Sequence, residues 1–374
     1  MVIVKIGDVF SSEAQTLVNT VNCVGVMGKG IALEFKKRFP EMYDDYVARC
    51  QAGQVRLGRP YLYRRVVPPW ILNFPTKDHW RSVSHLQDII AGLEFLEAHR
   101  VEWGITSLGV PPLGCGHGQL EWRVVGPTLY RHMKRLDIPV ELYAPFGTPQ
   151  EELKPAFLNE AQGEALGGQT GHPCKVSPGW ICLVEILHEL ERESYHWPVG
   201  RTTFQKIAYF ATESGIPTGL TYQRGSFGPY AGEIKRQITA LVNNGLIREE
   251  RLGRMFAVRV GQTYEDARRA YVAEIEACRE AIEKIVDLFT RVDTNQAEIA
   301  ATVHFAAKEL KLQPNARPSE TDVLAAVMKW KQRRRPPLDE KEVALATRNL
   351  NILSWIGVRY SEDLPVTEEE LLDV

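Results

Sequence analysis

The stretch Asn22-Cys23-Val24-Gly25-Val26-Met27-Gly28-Lys29-Gly30-Ile31, running on through ALEFKKRF to Phe39, decides the fold of the first part of this chain. Before it stands TLVNTVN (Thr16–Asn22), a β-branched apolar run that predicts a strand. After it, Ile31, Phe35 and Phe39 recur at i, i+4 and i+8, one face of a helix. Lys36, Lys37 and Arg38 close that helix where cations complement its dipole. A glycine loop between strand and helix exposes backbone N–H groups, and the helix start adds positive potential, so it can hold a diphosphate. No GK[ST] ends the loop, which excludes a Walker A motif. No third glycine follows Gly30, which argues against the dinucleotide fingerprint.

The same alternation extends on both sides. VIVKI, ILNFP, WGITSL and VELYAP predict further strands, and HLQDIIAGLEFLEAHR and VVGPTLYRHMKRL predict helices, which makes residues 1–150 an α/β layered domain. A second glycine loop, Pro111-Pro-Leu-Gly114-Cys115-Gly116-His117-Gly118, follows the strand ITSLGV. Two such loops at strand ends can close on a diphosphate from both sides, where ligands of open α/β sheets bind. A third segment, Asn73-Phe-Pro-Thr76-Lys77-Asp78-His79-Trp80, also leaves a strand and places Lys77 at the mouth of that pocket.

Residues 151–179, with EALGGQTGHP, lack any period and read as a linker. Residues 180–374 are mostly helical. WICLVEILHELERES, TTFQKIAYFATESG and EIKRQITALVNNGL are amphipathic, and LIREERLGRMFAVRV reads as a wing-like hairpin. The order suggests a winged-helix-like second domain. Its charge speaks against a DNA grip: residues 1–150 hold 17 Lys/Arg against 14 Asp/Glu, whereas 151–374 hold 28 against 33. The basic cluster Lys331, Arg333, Arg334, Arg335 is the exception, and it reads as a solvated helix end stopped by Pro336 and Pro337.

A chain of 374 residues with net charge −2, 44% apolar and 25% charged residues is ordinary globular material, long enough for two domains. Disordered, collagen-like and disulfide-stapled classes are excluded. MVIVKIGDVF reads as a strand rather than a leader, and no run reaches the ~18 apolar residues of a membrane span. Six cysteines without a CxxC pair are expected to be reduced thiols of a cytoplasmic protein with no membrane partner. His172 and Cys174 lack a second ligand pair at zinc spacing, so no metal and no cofactor is expected.

GDVF (Gly7–Phe10), VNTVN (Val18–Asn22), MGKGIALEFKKRFP (Met27–Pro40), NFPTKDHWR (Asn73–Arg81) and PPLGCGHGQLEW (Pro111–Trp122) together resemble the macrodomain family, in the branch of the terminal ADP-ribose protein glycohydrolase. FPTK and the acidic helical half, with FQKIAYFATESGIPTGLTYQRGSFGPY, resemble the DarG-type antitoxins, partners of the DarT DNA ADP-ribosyltransferase toxins. The resemblance implies an α/β macrodomain with a mixed sheet between helices, and ADP-ribose in the cleft. It implies Asp8 at the adenine, Val9 among the ADP-ribose-binding residues, Asn22 at the distal ribose, and the backbone of Gly28, Gly30, Ile31 and Gly114, Cys115, Gly116, His117, Gly118 around the diphosphate. Thr76 would line the cleft and Lys77 would be the catalytic lysine. The aspartate that the protein glycohydrolase places in its second loop is absent here. The implied substrate is ADP-ribose on thymidine of single-stranded DNA, with Trp70, Trp80, Arg81, Arg64 and Arg65 as strand-binding candidates. The second domain would bind a DarT-like toxin. The alternatives are an ADP-ribose reader without catalysis, a protein ADP-ribose glycohydrolase, and a winged-helix regulator with a ligand-sensing macrodomain.

Overall fold

The computed structural model describes residues 1–159, 176–194, 197–252, 255–312, 317–332 and 334–366. His172, Cys174, most of the expected linker and Arg333 lie outside the described residues.

The described elements are β1 (Val2–Ile6), β2 (Thr16–Asn22), α1 (Gly30–Arg38), α2 (Pro40–Gln51), β3 (Tyr61–Tyr63), β4 (Trp70–Lys77), α3 (Leu86–His99), β5 (Leu108–Val110), α4 (Trp122–Arg135), β6 (Val140–Ala144) and α5 (Pro155–Leu158). They continue with α6 (Pro178–Arg192), α7 (Arg201–Glu213), β7 (Gln223–Gly225), β8 (Gly228–Tyr230), α8 (Ile234–Asn243), β9 (Ile247–Leu252) and β10 (Met255–Val260). The last are α9 (Tyr264–Ala270), α10 (Val272–Ala277), α11 (Arg279–Thr290), α12 (Thr294–Lys311), α13 (Glu320–Lys331) and α14 (Glu340–Ile352).

The chain divides into two compact units. The first is Met1–Ser177 with Gln237–Arg248 and Val260–Glu276; the second is Pro178–Arg236, Glu249–Arg259 and Ala277–Val374. The first unit therefore takes in two segments that lie far along the sequence.

The first unit is an α/β mixed sheet flanked by helices. Its six strands run in the order β1-β6-β5-β2-β4-β3, all pairs parallel except β3 with β4. Every residue of β2 except Thr20 is buried, as a central strand covered on both faces requires. A cluster of Leu17, Val21, Phe35, Met42, Tyr46 and Ile71 ties β2 and β4 to α1 and α2. On α3, Gly92 lets Phe74 approach so closely that a Cβ would come 2.4 Å from its ring.

Strand β4 carries Pro75, an unusual residue between two neighbours. The antiparallel partner β3 covers only Ile71–Asn73, so the missing N–H of Pro75 costs no ladder bond on that side. The expected strand WGITSL is shorter than its sequence suggests. Trp103 and Gly104 complete the end of α3, with Trp103 N donating to His99 O at 2.9 Å and Gly104 at φ +69°. Only Leu108–Val110 pairs in the sheet.

The second unit is mostly helical, with α6, α7 and α11–α14 and the small hairpin β7–β8. The wing-like hairpin appears as β9–β10. The segment Tyr264–Phe289 is three helices: α9 and nearly all of α10 belong to the first unit, α11 to the second. Of the basic cluster, Lys331 is buried and Arg334 forks onto Glu298 at 3.0 and 3.2 Å, so these cations are spent inside the fold. No helix among the described residues is long and apolar enough to cross a membrane.

Candidate active site

Because β1, β6, β5, β2 and β4 are parallel, their carboxyl ends share one edge of the sheet. Asp8 follows β1, Phe146 follows β6, Gly114–Gly118 follow β5, the Cys23–Gly30 loop follows β2, and Lys77 ends β4. Four strand spacings of about 4.8 Å make this row about 19 Å long. Its order is Asp8 and Phe146 at one end, the two glycine loops in the middle, and Lys77 at the other.

The first loop is built around Asn22. Its Oδ1 accepts from the Val24 and Val26 amides at 3.0 and 3.3 Å, and its Nδ2 donates to Val26 O at 2.6 Å. The buried Tyr46 hydroxyl donates to Asn22 O and lies 3.0 Å from Asn22 Oδ1. The Asn22 side chain thus folds the loop, and one of its two amide N–H donors is already used. Beyond it, α1 starts without a side-chain cap at Lys29, so its first-turn N–H groups face outward.

The second loop turns through Gly114 (φ +75°) and Gln119 (φ +66°). Its carbonyls are committed: Leu120 N donates to Gly114 O at 3.1 Å, Gln119 N to Gly116 O at 3.2 Å, and Ser84 N to Gly118 O at 2.9 Å. Gly118 is packed so tightly that a Cβ would sit 2.3 Å from Gly114 O. Among the described residues, the amides of Gly116, His117 and Gly118 make no backbone hydrogen bond. They are the donors a diphosphate needs. Cys115 is buried beneath the loop, whereas Gly116 and His117 are exposed. The ring of His117 lies 3.5 Å from the Cβ position of Gly30, so the two glycine loops face each other.

Lys77 reaches this junction because of a register irregularity. Val21 pairs with Pro75 but Asn22 pairs with Lys77, which leaves buried Thr76 as the extra residue. Since side chains alternate faces, one inserted residue changes the face on which the next side chain emerges. Lys77 Nζ then donates to His117 O at 2.6 Å. It is half-buried and makes no ion pair among the described residues. Burial lowers its pKa below the ordinary lysine value.

Asp8 is exposed at its strand end, its Oδ1 accepting from Phe10 N at 3.0 Å, with Val9 buried beneath. Just past Lys77, Trp80 is 48% exposed, with the Arg81 guanidinium 4.6 Å from its ring centroid. Trp70 is a different case. It starts β4, about 23 Å from Lys77 along an eight-residue strand. Arg64 stacks on Trp70 at 5.6 Å, and Arg65 lies over Phe39. These three strand-binding candidates belong to the opposite end of the sheet, since proximity in sequence to Lys77 was measured along an extended strand. Phe146, 70% exposed beside the β1 end, was missed. Its sequence signal was an aromatic residue between Pro145 and Gly147 directly after a strand. Among the described residues no group of three or more His, Cys, Asp or Glu comes together as a metal site.

A Macro domain profile matches residues 18–129, which contain both glycine loops and Lys77. The macrodomain of Mycobacterium tuberculosis DarG is 44% identical over 39% of this chain and 98% of its own, with a TM-score of 0.38. A DNA ADP-ribosyl transferase–DNA ADP-ribosyl glycohydrolase fusion protein of Thermosipho africanus is 40% identical over 172 residues, 41% of this chain and 44% of its own. The DNA ADP-ribosyl glycohydrolase of Thermus aquaticus is 31% identical over 310 residues, 81% of this chain and 81% of its own. That match runs far beyond the macrodomain into the helical half, and the chain belongs to the DNA ADP-ribosyl glycohydrolase family of macrodomain hydrolases.

Proposed function

We propose that this chain hydrolyses the N-glycosidic bond between ADP-ribose and thymidine in single-stranded DNA, with Lys77 as the catalytic residue. The observation that carries this reading is Lys77 itself, half-buried where the two glycine loops meet and without a counter-ion among the described residues. Adenine would lie between Asp8 and Phe146. The amides of Gly28, Gly30 and Ile31 and of Gly116, His117 and Gly118 would hold the diphosphate, and the distal ribose would reach Lys77. Asn22 shapes this site from beneath.

Two routes use the same lysine. As an ammonium, Lys77 donates a proton to the departing thymine nitrogen while water adds to C1 of the ribose, and the proton the water loses restores the ammonium. As an amine, Lys77 attacks C1 with its lone pair, and thymine leaves with the electron pair and takes a proton. The ribosyl adduct opens to an imine, which water hydrolyses to ADP-ribose and free lysine. The lowered Lys77 pKa supports the amine route, and the His117 carbonyl, an acceptor, supports the ammonium. No carboxylate stands in Pro111–Leu120 to assist either.

Exposed Trp80 with Arg81 favours a nucleic-acid leaving group, since bases stack on aromatic faces and guanidinium meets phosphate. We further propose that residues 1–150 carry hydrolysis and that residues 180–374 bind a DarT-like toxin. The transferase–glycohydrolase fusion of the Thermosipho africanus relative and the acidic balance of the second half support that pairing.

The test is release of ADP-ribose from a thymidine-modified single-stranded oligonucleotide, beside a glutamate-linked peptide. Clearance of the oligonucleotide by wild type but not by Lys77→Ala supports the reading. Clearance of the peptide alone makes the chain a protein ADP-ribose glycohydrolase. Binding of ADP-ribose without clearing either makes it a reader.

A further inference from the structure

The second glycine loop is held from behind by residues more than 120 positions away in the sequence. Helix α8 ends in Asn243-Asn244-Gly245-Leu246. Asn244 is 1% exposed, and its Oδ1 accepts from the backbone N–H of Glu121 at 2.7 Å. Glu121 is the N-cap of α4, and the next residue upstream, Leu120, is hydrogen-bonded to Gly114 O. The turn also reaches the loop's other anchor. The Cβ position of Gly245 lies 3.2 Å from Leu86 at the start of α3, two residues after Ser84, whose amide holds Gly118 O.

The turn is itself fixed. Asn244 Nδ2 donates to Ala240 O at 2.8 Å, and the Thr263 hydroxyl donates to Asn244 O at 2.8 Å. Gly261 N donates to Leu246 O, and Thr263 N to Gly245 O. Two further contacts dock the same segments on α4: Arg131 forks onto Asp266 at 3.1 and 2.7 Å, and the Arg123 guanidinium lies 4.3 Å from the Tyr271 ring centroid.

We infer that Asn244 is a positioning residue for the Gly114–Gly118 loop. Its carbonyl oxygen fixes the start of α4, and through it the spacing of the loop amides that meet the diphosphate. This rests on the proposed ADP-ribose site. The hydrolase module is then discontinuous: its diphosphate loop is set by a turn from the second half of the sequence.

The experiment uses the full chain at a temperature where circular dichroism shows every variant folded. Affinity for free ADP-ribose is measured by calorimetry, and KM and kcat are read on the modified oligonucleotide. Asn244→Ala removes the acceptor, Asn244→Asp keeps one, and Thr263→Val loosens the turn without touching Glu121. Because the loop holds the diphosphate equally in ground and transition states, Asn244→Ala is expected to raise Kd and KM between about threefold and tenfold with kcat unchanged. Thr263→Val is expected to move both the same way by less, and Asn244→Asp, which keeps the acceptor for Glu121 but loses the bond to Ala240, to fall between wild type and alanine. Unchanged ADP-ribose affinity in Asn244→Ala, or in Thr263→Val should the alanine variant not fold, overturns the inference. So does equal weakening by alanine and aspartate, which would mean packing rather than the hydrogen bond. Failure of wild type to bind ADP-ribose would instead remove the proposed site itself.

Discussion

Lys77 in the first unit and Lys206 in the second are both desolvated lysines that donate to backbone carbonyls of a glycine-bearing turn. Lys77 bonds His117 O at 2.6 Å; Lys206 bonds Phe227 O at 2.5 Å and Pro229 O at 3.2 Å. Lys206 is the more perturbed, with burial pulling its pKa down to about 8 against the opposing field of Glu298. It is nevertheless sealed. It is 3% exposed, and Gly228 closes over it so tightly that a Cβ would lie 3.1 Å from its Nζ. Lys331, also buried, ties Ser226 O and Glu298 into the same cluster. Lys77 sits beside exposed Gly116, where an added Cβ would meet nothing within 4 Å. A shifted pKa therefore does not separate an open lysine from a sealed one; solvent access does.

The largest test of this contrast is Lys77→Ala. Its kcat on the modified oligonucleotide is expected to fall by about 10²–10⁴-fold, with ADP-ribose affinity changed only a few-fold. Lys206→Met is the counterpart. It should cost the second unit about 3 kcal/mol in urea unfolding, because a buried ion cluster loses one member, and leave hydrolysis by the folded protein intact. Abolished hydrolysis in a folded Lys206→Met chain would break the comparison.

The units should also differ in acid. His304 is packed among Tyr209, Phe210 and Trp355 and accepts from or donates to the Tyr209 hydroxyl at 2.7 Å. Burial, then the charges of Lys308, Lys311 and Lys284, lower its pKa from 6.5 to about 4. Above pH 6.5 folded and unfolded forms are both neutral, and its contribution is complete. As pH falls from 6.5 to 4 the unfolded chain takes up the proton first, and stability is lost, on the order of 3 kcal/mol. His304→Gln should flatten that slope in pH-dependent denaturation. The smallest effect is Trp80→Ala, expected to raise KM for the oligonucleotide about tenfold through lost base stacking. The glutamate-linked peptide and free ADP-ribose should be unaffected; an equal loss on all three would place Trp80 in the ADP-ribose site instead.

Much of the site was legible because its elements are local. The strand TLVNTVN, the loop Asn22–Gly30 and the helix after it follow from apolar period and glycine placement within some twenty residues. The same holds for Gly114–Gly118. Less visible were α2 and β3. Tyr46 on α2 meets Asn22 only once the chain has folded back, so the structural work of the Asn22 side chain had no sequence signal. Nor did the misplacement of Trp70, Arg64 and Arg65: the eight residues Trp70–Lys77 are a short reach along a helix but a long one along a strand.

The sequence by itself determined the α/β first half, the mostly helical second half, the two glycine loops and the lysine at the end of β4. These depend on side-chain period and on glycine's freedom, both properties of short segments. Tertiary structure alone decided which face Lys77 takes, because a one-residue bulge at Thr76 sets it and the pairing register lies between strands. It also decided which lysines are sealed by carbonyls, and that Asn244 supports a loop more than 120 residues upstream. Such partners meet only when distant segments are packed together, and no local pattern records them.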